Sequence, residues 1–322
     1  MFFVLKALNW ECALVSGKPF IGIDWGTSSM RAMLCTPDRE APDSNDVILG
    51  AGISKLDRPI GDVLLDIIRP WEDRFGQLSV IMAGMVGSNI GWHNTGYVNC
   101  PSPLVDLIDH AKTFAYHGRE ISILPGVRCQ NQMGEPDLMR GEEVQLSGWL
   151  ANNKTASQHD RLYCLPGTHC KWATMKDGRL ETFTTSLTGE VFAILQKHSV
   201  LVPDYRESNQ KPFDLDSFLR GVDLIFDHPV SLLQALFSTR SRWISSTGDL
   251  GDPSSYLSGI LIGSDINAAL SNGGHSHSTV EIIGEPSLCK KYADAMLRIG
   301  RKFRITDGVL SSYSGFRSLK PN

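Results

Sequence analysis

The sequence predicts an α/β protein built from two halves of similar design. Three observations carry this reading. Two short β-prone runs, FIGIDWG (20–26) and RLYCLPGTH (161–169), each end in a Gly turn followed at once by a return strand. Continuous apolar runs ending in glycine, LSVIMAGM (78–85) and ISILPG (121–126), read as strands buried on both faces. Segments with helical spacing separate these runs.

In the first half, SMRAMLC (29–35) returns from the first strand and DVILGAGIS (46–54) supplies a third. Ile60, Val63, Leu64, Ile67, Ile68, Trp71 and Phe75 then recur at helical spacing. The stretch between 85 and 121 reads as a linker, and MRGEEVQLSGWLA (139–151) as a turn opening a helix. In the second half, CKWATM (170–175) and RLETFTTSL (179–187) complete another three-strand unit. Helices are expected near 189–197, 215–225, 229–240 and 254–270, the last with Gly259 and Gly263 on one face suited to close packing. A strand in STVEIIGEPS (278–287), a helix at 287–300 and a last strand in FRITDG (303–308) follow, with surface loops at 205–212 and 245–255. The 322 residues suffice for about two domains, 20–155 and 156–322, after an extension of residues 1–19.

Composition excludes several classes of function. Lys+Arg 31 against Asp+Glu 35 gives a net charge of −4, which forces no basic face for nucleic acid. The seven cysteines (Cys12, Cys35, Cys100, Cys129, Cys164, Cys170, Cys289) are odd in number and lack CxxC spacing. They argue against a disulfide framework or a zinc site and fit a reduced cytoplasm. No window reaches the roughly 18 apolar residues of a membrane span. Lys6 and Glu11 interrupt the first twenty residues, which do not read as a signal peptide. Phe2 and Phe3 are compatible with a homodimer contact or with disorder.

The chemistry concentrates in turns. Asp24-Trp25-Gly26-Thr27-Ser28-Ser29 closes the first hairpin. Successive N–H groups in such a turn can cradle a phosphate, and an Asp at the strand end can hold Mg²⁺; a plain Asp-Gly hairpin turn is the other reading. Pro166-Gly167-Thr168-His169, with Lys171 beyond it, occupies the equivalent place in the second half, which favours a pair of phosphate loops. Neither turn fits the Walker pattern, and no GxGxxG lies between a strand and a helix. Arg140-Gly141-Glu142-Glu143 offers a general base beside a cation, or only compensation of a helix dipole. AGMVGSNIGW (83–92) follows a buried strand, where open α/β sheets place ligand contacts. The neighbours His169 and Cys170, with Cys164, do not make a metal cluster, since adjacent ligands rarely converge on one ion.

In order, DWGTSSMRA, AGMVGSNIGW, LPG, MRGEE, PGTHCKW, TGE, SGILIG and GFRS resemble the bacterial 2-dehydro-3-deoxygalactonokinases, from residue 20 to 319. That family belongs to the sugar kinase, actin and heat-shock ATPase superfamily. The resemblance implies two ribonuclease-H-like domains of the actin-like ATPase fold, with ATP in the interdomain cleft. It implies a first phosphate loop with Gly26, Thr27, Ser28 and Arg31, and Asp24 near Mg²⁺. Gly167, Thr168, His169 and Lys171 would form the second loop, and Gly284 would mark the adenosine side. Glu142 is the implied base, with Glu143 second and Arg140 steadying an anion. Gly84, Met85, Gly87, Ser88, Asn89 and Trp92 are the expected sugar-acid contacts. Glu285, where relatives favour a small residue, is expected to sit awkwardly near the phosphates. The implied reaction is cytoplasmic, ATP-dependent phosphorylation of 2-dehydro-3-deoxy-D-galactonate on its 6-hydroxyl, in galactonate or galactose breakdown. A kinase for another sugar acid or an amino sugar, and a non-catalytic sensor on the same fold, are the alternatives.

Overall fold

A computed structural model describes residues 17–153, 161–202, 212–245, 251–271 and 279–319. Residues 1–16, with Phe2, Phe3 and Cys12, lie outside the described residues, as do the expected boundary at 155/156 and residues 205–211 of the first expected loop.

The first hairpin forms β1 (Phe20–Trp25) and β2 (Ser29–Cys35), and β3 (Val47–Ala51) adds antiparallel to β2. Helix α1 (Ile60–Phe75) buries Leu64, Ile68 and Trp71 on one face, as its spacing requires, and leads to β4 (Val80–Gly84), parallel to β1. The expected linker instead carries β5 (Tyr97–Asn99), β6 (Ser102–Pro103) and β7 (Lys112–Tyr116). Strand β8 (Arg119–Ile123) lies parallel to β4 and antiparallel to β7. Strands β9 (Gly126–Gln130) and β10 (Pro136–Met139) make a small sheet with β5, and α2 (Glu142–Asn152) follows.

The second half repeats the plan. Strands β11 (Arg161–Leu165), β12 (Cys170–Lys176) and β13 (Arg179–Ser186) form an antiparallel meander. Helices α3 (Thr188–His198), α4 (Leu215–Asp227), α5 (Leu232–Ser245) and α6 (Pro253–Ser271) come next. Then β14 (Val280–Gly284), α7 (Pro286–Arg298), β15 (Phe303–Asp307) and α8 (Gly308–Leu319) complete the chain. Of the loop expected at 245–255, residues 246–250 lie outside the described residues, while Pro253, Ser254 and Ser255 form the buried first turn of α6.

The large sheets run β3-β2-β1-β4-β8-β7 and β15-β14-β11-β12-β13-β6. Each contains an antiparallel meander with two parallel strands added beside its first strand. This is the ribonuclease-H-like sheet, present twice, and together the two make the actin-like ATPase fold.

Strand parity positions the site. Along β1, Ile21, Ile23 and Trp25 pack toward α1, so Phe20, Gly22 and Asp24 face the other half. Along β11, Leu162 and Cys164 pack toward α4, α6 and α7, while Tyr163 and Leu165 join the shared core. That shared core continues through Val144, Trp149, Tyr313 and Phe316 of α2 and α8. The two helices touch backbone to backbone: a Cβ on Gly148 would stand 1.8 Å from the Ser311 carbonyl oxygen, and one on Gly315 2.0 Å from that of Val144. The sequence reading does not anticipate helix α8, since SSYSGFRSL is mostly small residues, which serve this crossing. Gly259 and Gly263 pack α6 closely on α4 as expected, with Phe218 and Val222 as their neighbours.

Candidate active site

A cavity of about 620 Å³ opens where β1 and β11 end, between the two sheets. Both hairpin turns reach it. In the first, the Gly26 carbonyl accepts the Ile53 N–H at 3.0 Å and the Thr27 carbonyl accepts the Ser54 N–H at 3.1 Å. The turn's carbonyls are thus tied back, whereas no acceptor among the described residues takes the N–H of Thr27 or Ser28. The second turn has the same character: Thr168 O accepts the Glu190 N–H at 2.9 Å, and the N–H groups of Gly167 and Thr168 have no acceptor among the described residues. Gly26, Thr27, Ser28, Gly167, Thr168 and His169 all line the cavity, so two N–H-rich turns face one space.

The registers explain the charges. Asp24 pairs with Arg31 across β1 and β2, and Leu165 pairs with Lys171 across β11 and β12, so each hairpin places a cation on the inward face. Their surroundings differ. Lys171 is buried, and its Nζ donates to Leu138 O and Thr185 Oγ1, both at 2.9 Å. Two of its three donors are therefore used inside the fold. Arg31 lines the cavity beside Asp24. Burial raises the Asp24 carboxyl to about 6, with Arg31 opposing and Glu142 adding to the rise.

Helix α2 begins at the cavity wall. Gly141 precedes it with φ +112°, a conformation that glycine adopts at low cost and that strains any residue with a Cβ. A Cβ there would lie 3.2 Å from Asp24 Oδ1, so Asp24 and this turn are in contact. The Arg140 N–H donates to Glu142 Oε2 at 3.1 Å, and Glu142 lines the cavity. Glu143 does not. It is completely buried, and its Oε2 accepts the Gly141 N–H at 2.7 Å. Burial, reinforced by Glu142, raises its carboxyl to about 8 against the backbone N–H groups and Arg140.

Arg140 is held from several sides. Nη1 donates to Thr95 Oγ1 at 2.9 Å, Nη2 to Gly96 O at 2.8 Å, and the guanidinium lies 4.5 Å from the Tyr97 ring centroid. Thr95 in turn donates to Leu124 O at 2.9 Å. Of the expected sugar-acid contacts, Met85 lines the cavity. Gly84 and Gly87 support it from behind, Gly84 against Asp24 Oδ1 and Gly87 against Arg140 Nη1. The Ser88 hydroxyl is spent on Met85 O at 2.7 Å, Asn89 is exposed outside the cavity walls, and Trp92 lines a separate cavity with Ile90 and Tyr116.

Gly284 and Glu285 form the opposite wall. The Glu285 carboxylate caps α7, accepting the N–H groups of Ser287 at 3.0 Å and Leu288 at 2.9 Å. The Ser287 hydroxyl and these N–H groups hold it below the usual carboxylate range, so its charge serves the helix N-terminus.

A family model described as 2-keto-3-deoxy-galactonokinase matches residues 24–319. The chain belongs to this family. It is 31% identical over 294 residues to the probable 2-dehydro-3-deoxygalactonokinase of Rhizobium meliloti (strain 1021), covering 89% of this chain and 92% of that one. It is 30% identical over 306 residues to the 2-dehydro-3-deoxygalactonokinase of Escherichia coli (strain K12), covering 93% and 97%. A crystal structure from Sinorhizobium meliloti, assigned to the 2-dehydro-3-deoxygalactonokinases, superposes with a TM-score of 0.82 at 29% identity, over 93% of this chain and 97% of that one.

In this galactonokinase-family chain the cavity also holds residues that sequence reasoning passed over: Tyr97, Gln145, Glu190 and Gly308. Tyr97 sits on a three-residue strand with no readable alternation. The TGE string (188–190) signalled Glu190 without indicating what it touches. Among the described residues no helix is long and apolar enough to cross a membrane.

Proposed function

We propose that this cavity transfers the γ-phosphoryl group of ATP to the 6-hydroxyl of 2-dehydro-3-deoxy-D-galactonate in the cytoplasm. The observation that carries this reading is the convergence of two N–H-rich turns, from equivalent places in the two halves, on one cavity that also holds Asp24, Arg140 and Glu142. Phosphoryl transfer needs placement and neutralisation of charge more than covalent help from the protein. The backbone N–H groups of both turns bind phosphate oxygens, with Arg31 adding charge on the first side. Glu142, oriented by the Arg140 N–H, accepts the proton of the attacking hydroxyl. Arg140, fixed by Thr95, Gly96 and Tyr97, receives the carboxylate of the sugar acid.

A magnesium ion accompanying the nucleotide suits the residues present. Asp24 accepts no hydrogen bond among the described residues, and burial and the neighbouring Glu142 raise its carboxyl while Arg31 alone opposes them, so a further cation would stabilise its charged form. No group of three or more His, Cys, Asp or Glu ligands lies among the described residues, and a Mg²⁺ that takes phosphate oxygens and one or two carboxylates needs none. Bound there by Asp24, the ion would neutralise charge on the transferring phosphate. We further propose that residues 20–155 and 156–322 act as two bodies that close on the substrates and exclude water.

The test is ADP release by the purified protein with Mg-ATP, with and without 2-dehydro-3-deoxy-D-galactonate, the gluconate epimer running beside it. Strong stimulation by the galactonate compound supports the reading. ATP binding without stimulation by either acid would leave the fold standing and remove the substrate assignment.

A further inference from the structure

Thr188, Gly189 and Glu190 open α3 directly behind the second phosphate loop, and no role above absorbs them. The Thr188 hydroxyl donates to Asp265 Oδ2 at 3.0 Å. Asp265 is buried and also accepts from Trp172 Nε1 at 2.8 Å and from the Tyr292 hydroxyl at 2.6 Å. Donors from three separate elements thus anchor the start of α3 to one carboxylate. At Gly189 a Cβ would stand 2.5 Å from Gly167 O and 2.9 Å from Thr168 Cα, so the helix start lies flush against the loop backbone. The next residue makes two bonds to the loop: the Glu190 N–H donates to Thr168 O at 2.9 Å, and its Oε2 lies 2.5 Å from His169 Nε2.

The imidazole geometry has a chemical consequence. A carboxylate only accepts hydrogen bonds, so Nε2 carries a proton toward Glu190. Nδ1 then accepts in the neutral ring and donates only in the charged ring. His169 lines the cavity, and Nδ1 has no partner among the described residues. A phosphate oxygen needs a donor, and Lys171, just beyond the loop, already uses two donors inside the fold. We infer that Glu190 is a positioning residue that holds His169 with Nδ1 available to donate, as an imidazolium, to a nucleotide phosphate. The inference rests on the ATP-site reading of this cavity. The other charged groups lining the cavity are Lys171 on β12, Glu285 at the head of α7, Arg140 and Glu142 at α2, and Asp24 and Arg31 on the first hairpin. Of these groups and Glu190, Glu190 is the one bonded to the ring.

The experiment is calorimetric titration with Mg-ADP, in buffers of different ionisation enthalpy, at pH 6.5 and 8. It compares the parent protein, Glu190→Gln, Glu190→Ala, His169→Ala and the Glu190→Ala/His169→Ala double variant, with thermal unfolding to confirm folding. The expected results are proton uptake by the parent at pH 8, a smaller uptake and roughly tenfold weaker binding in Glu190→Gln, and a double variant no weaker than the poorer single one. Parent-like affinity and proton uptake in both Glu190 variants, or losses that simply add in the double variant, would overturn the inference alone. Failure of the parent itself to bind ADP would overturn the nucleotide reading and this inference with it.

Discussion

Glu142 and Glu143 are adjacent in sequence and opposite in environment. Glu142 takes the Arg140 N–H and faces the cavity, whereas Glu143 takes the Gly141 N–H and is sealed within the fold. The helical rotation between neighbours, about 100° per residue, accounts for the difference. It favours Glu142 as the base in the proposed reaction, a choice that position in the sequence left open.

Glu142→Gln keeps the shape and the Arg140 N–H contact but cannot accept a proton. We expect kcat to fall about 10²–10⁴-fold with Mg-ADP affinity within about threefold of the parent. Glu143→Gln should cost far less in kcat. Steady-state kinetics and nucleotide titration on both variants check this, and equal losses in the two would contradict it.

Glu143 also sets a pH dependence of stability. Its folded-state carboxyl is raised from 4.5 to about 8, so between these values the folded protein holds a proton that the unfolded chain has released. The stabilising contribution is complete below about 4.5 and is lost as pH rises toward 8. Each unit of that interval is worth about 1.4 kcal/mol at most. Glu143→Gln, permanently neutral, should gain on the parent in chemical denaturation as pH increases from 5 to 8. A gap that stays constant with pH would count against the assignment.

Arg140 is a fork held by two hydrogen bonds and a ring, a geometry that lysine cannot reproduce. Arg140→Lys should raise KM for the sugar acid about 10–100-fold and leave KM for ATP within about threefold. Thr95→Val should move the same parameter in the same direction by a smaller factor. A parallel rise in both KM values would indicate general disruption of the site.

The α2–α8 crossing predicts a structural effect remote from chemistry. Gly148→Ala forces a methyl toward the Ser311 carbonyl and should destabilise the protein by about 1–3 kcal/mol, as overpacking does elsewhere. The midpoint of urea unfolding measures it, and an unchanged midpoint would show that the crossing is slack.

What the sequence made legible was local. Both hairpins, α1 and the buried run of β4 follow from turn chemistry and apolar period, signals that each segment carries within itself whatever its partners. Strand β5 pairs with β9 about thirty residues on, and β9 and β10, though neighbours in the chain, are five and four residues long with no clear apolar alternation, so none of the three left a periodic trace. The same distinction divides the site. Glycine and hydroxyl residues advertised two N–H-rich turns, but the burial of Lys171 depends on Leu138, contributed by β10 of the other half, as well as on its cross-strand partner Thr185. Trp92 belongs to a conspicuous motif, yet it packs edge-on against Phe114 and Tyr116 and lines another cavity. A motif's distinctness thus reported a demanding fold position as readily as a ligand contact.

The most direct test identifies the product. Purified protein would be incubated with Mg-ATP and 2-dehydro-3-deoxy-D-galactonate, and the mixture followed by phosphorus NMR with proton correlation. The account predicts a new phosphomonoester coupled to the two C6 protons, formed in step with ADP. ADP appearing at the same rate without the sugar acid, or a phosphoryl group on any other position, would contradict it.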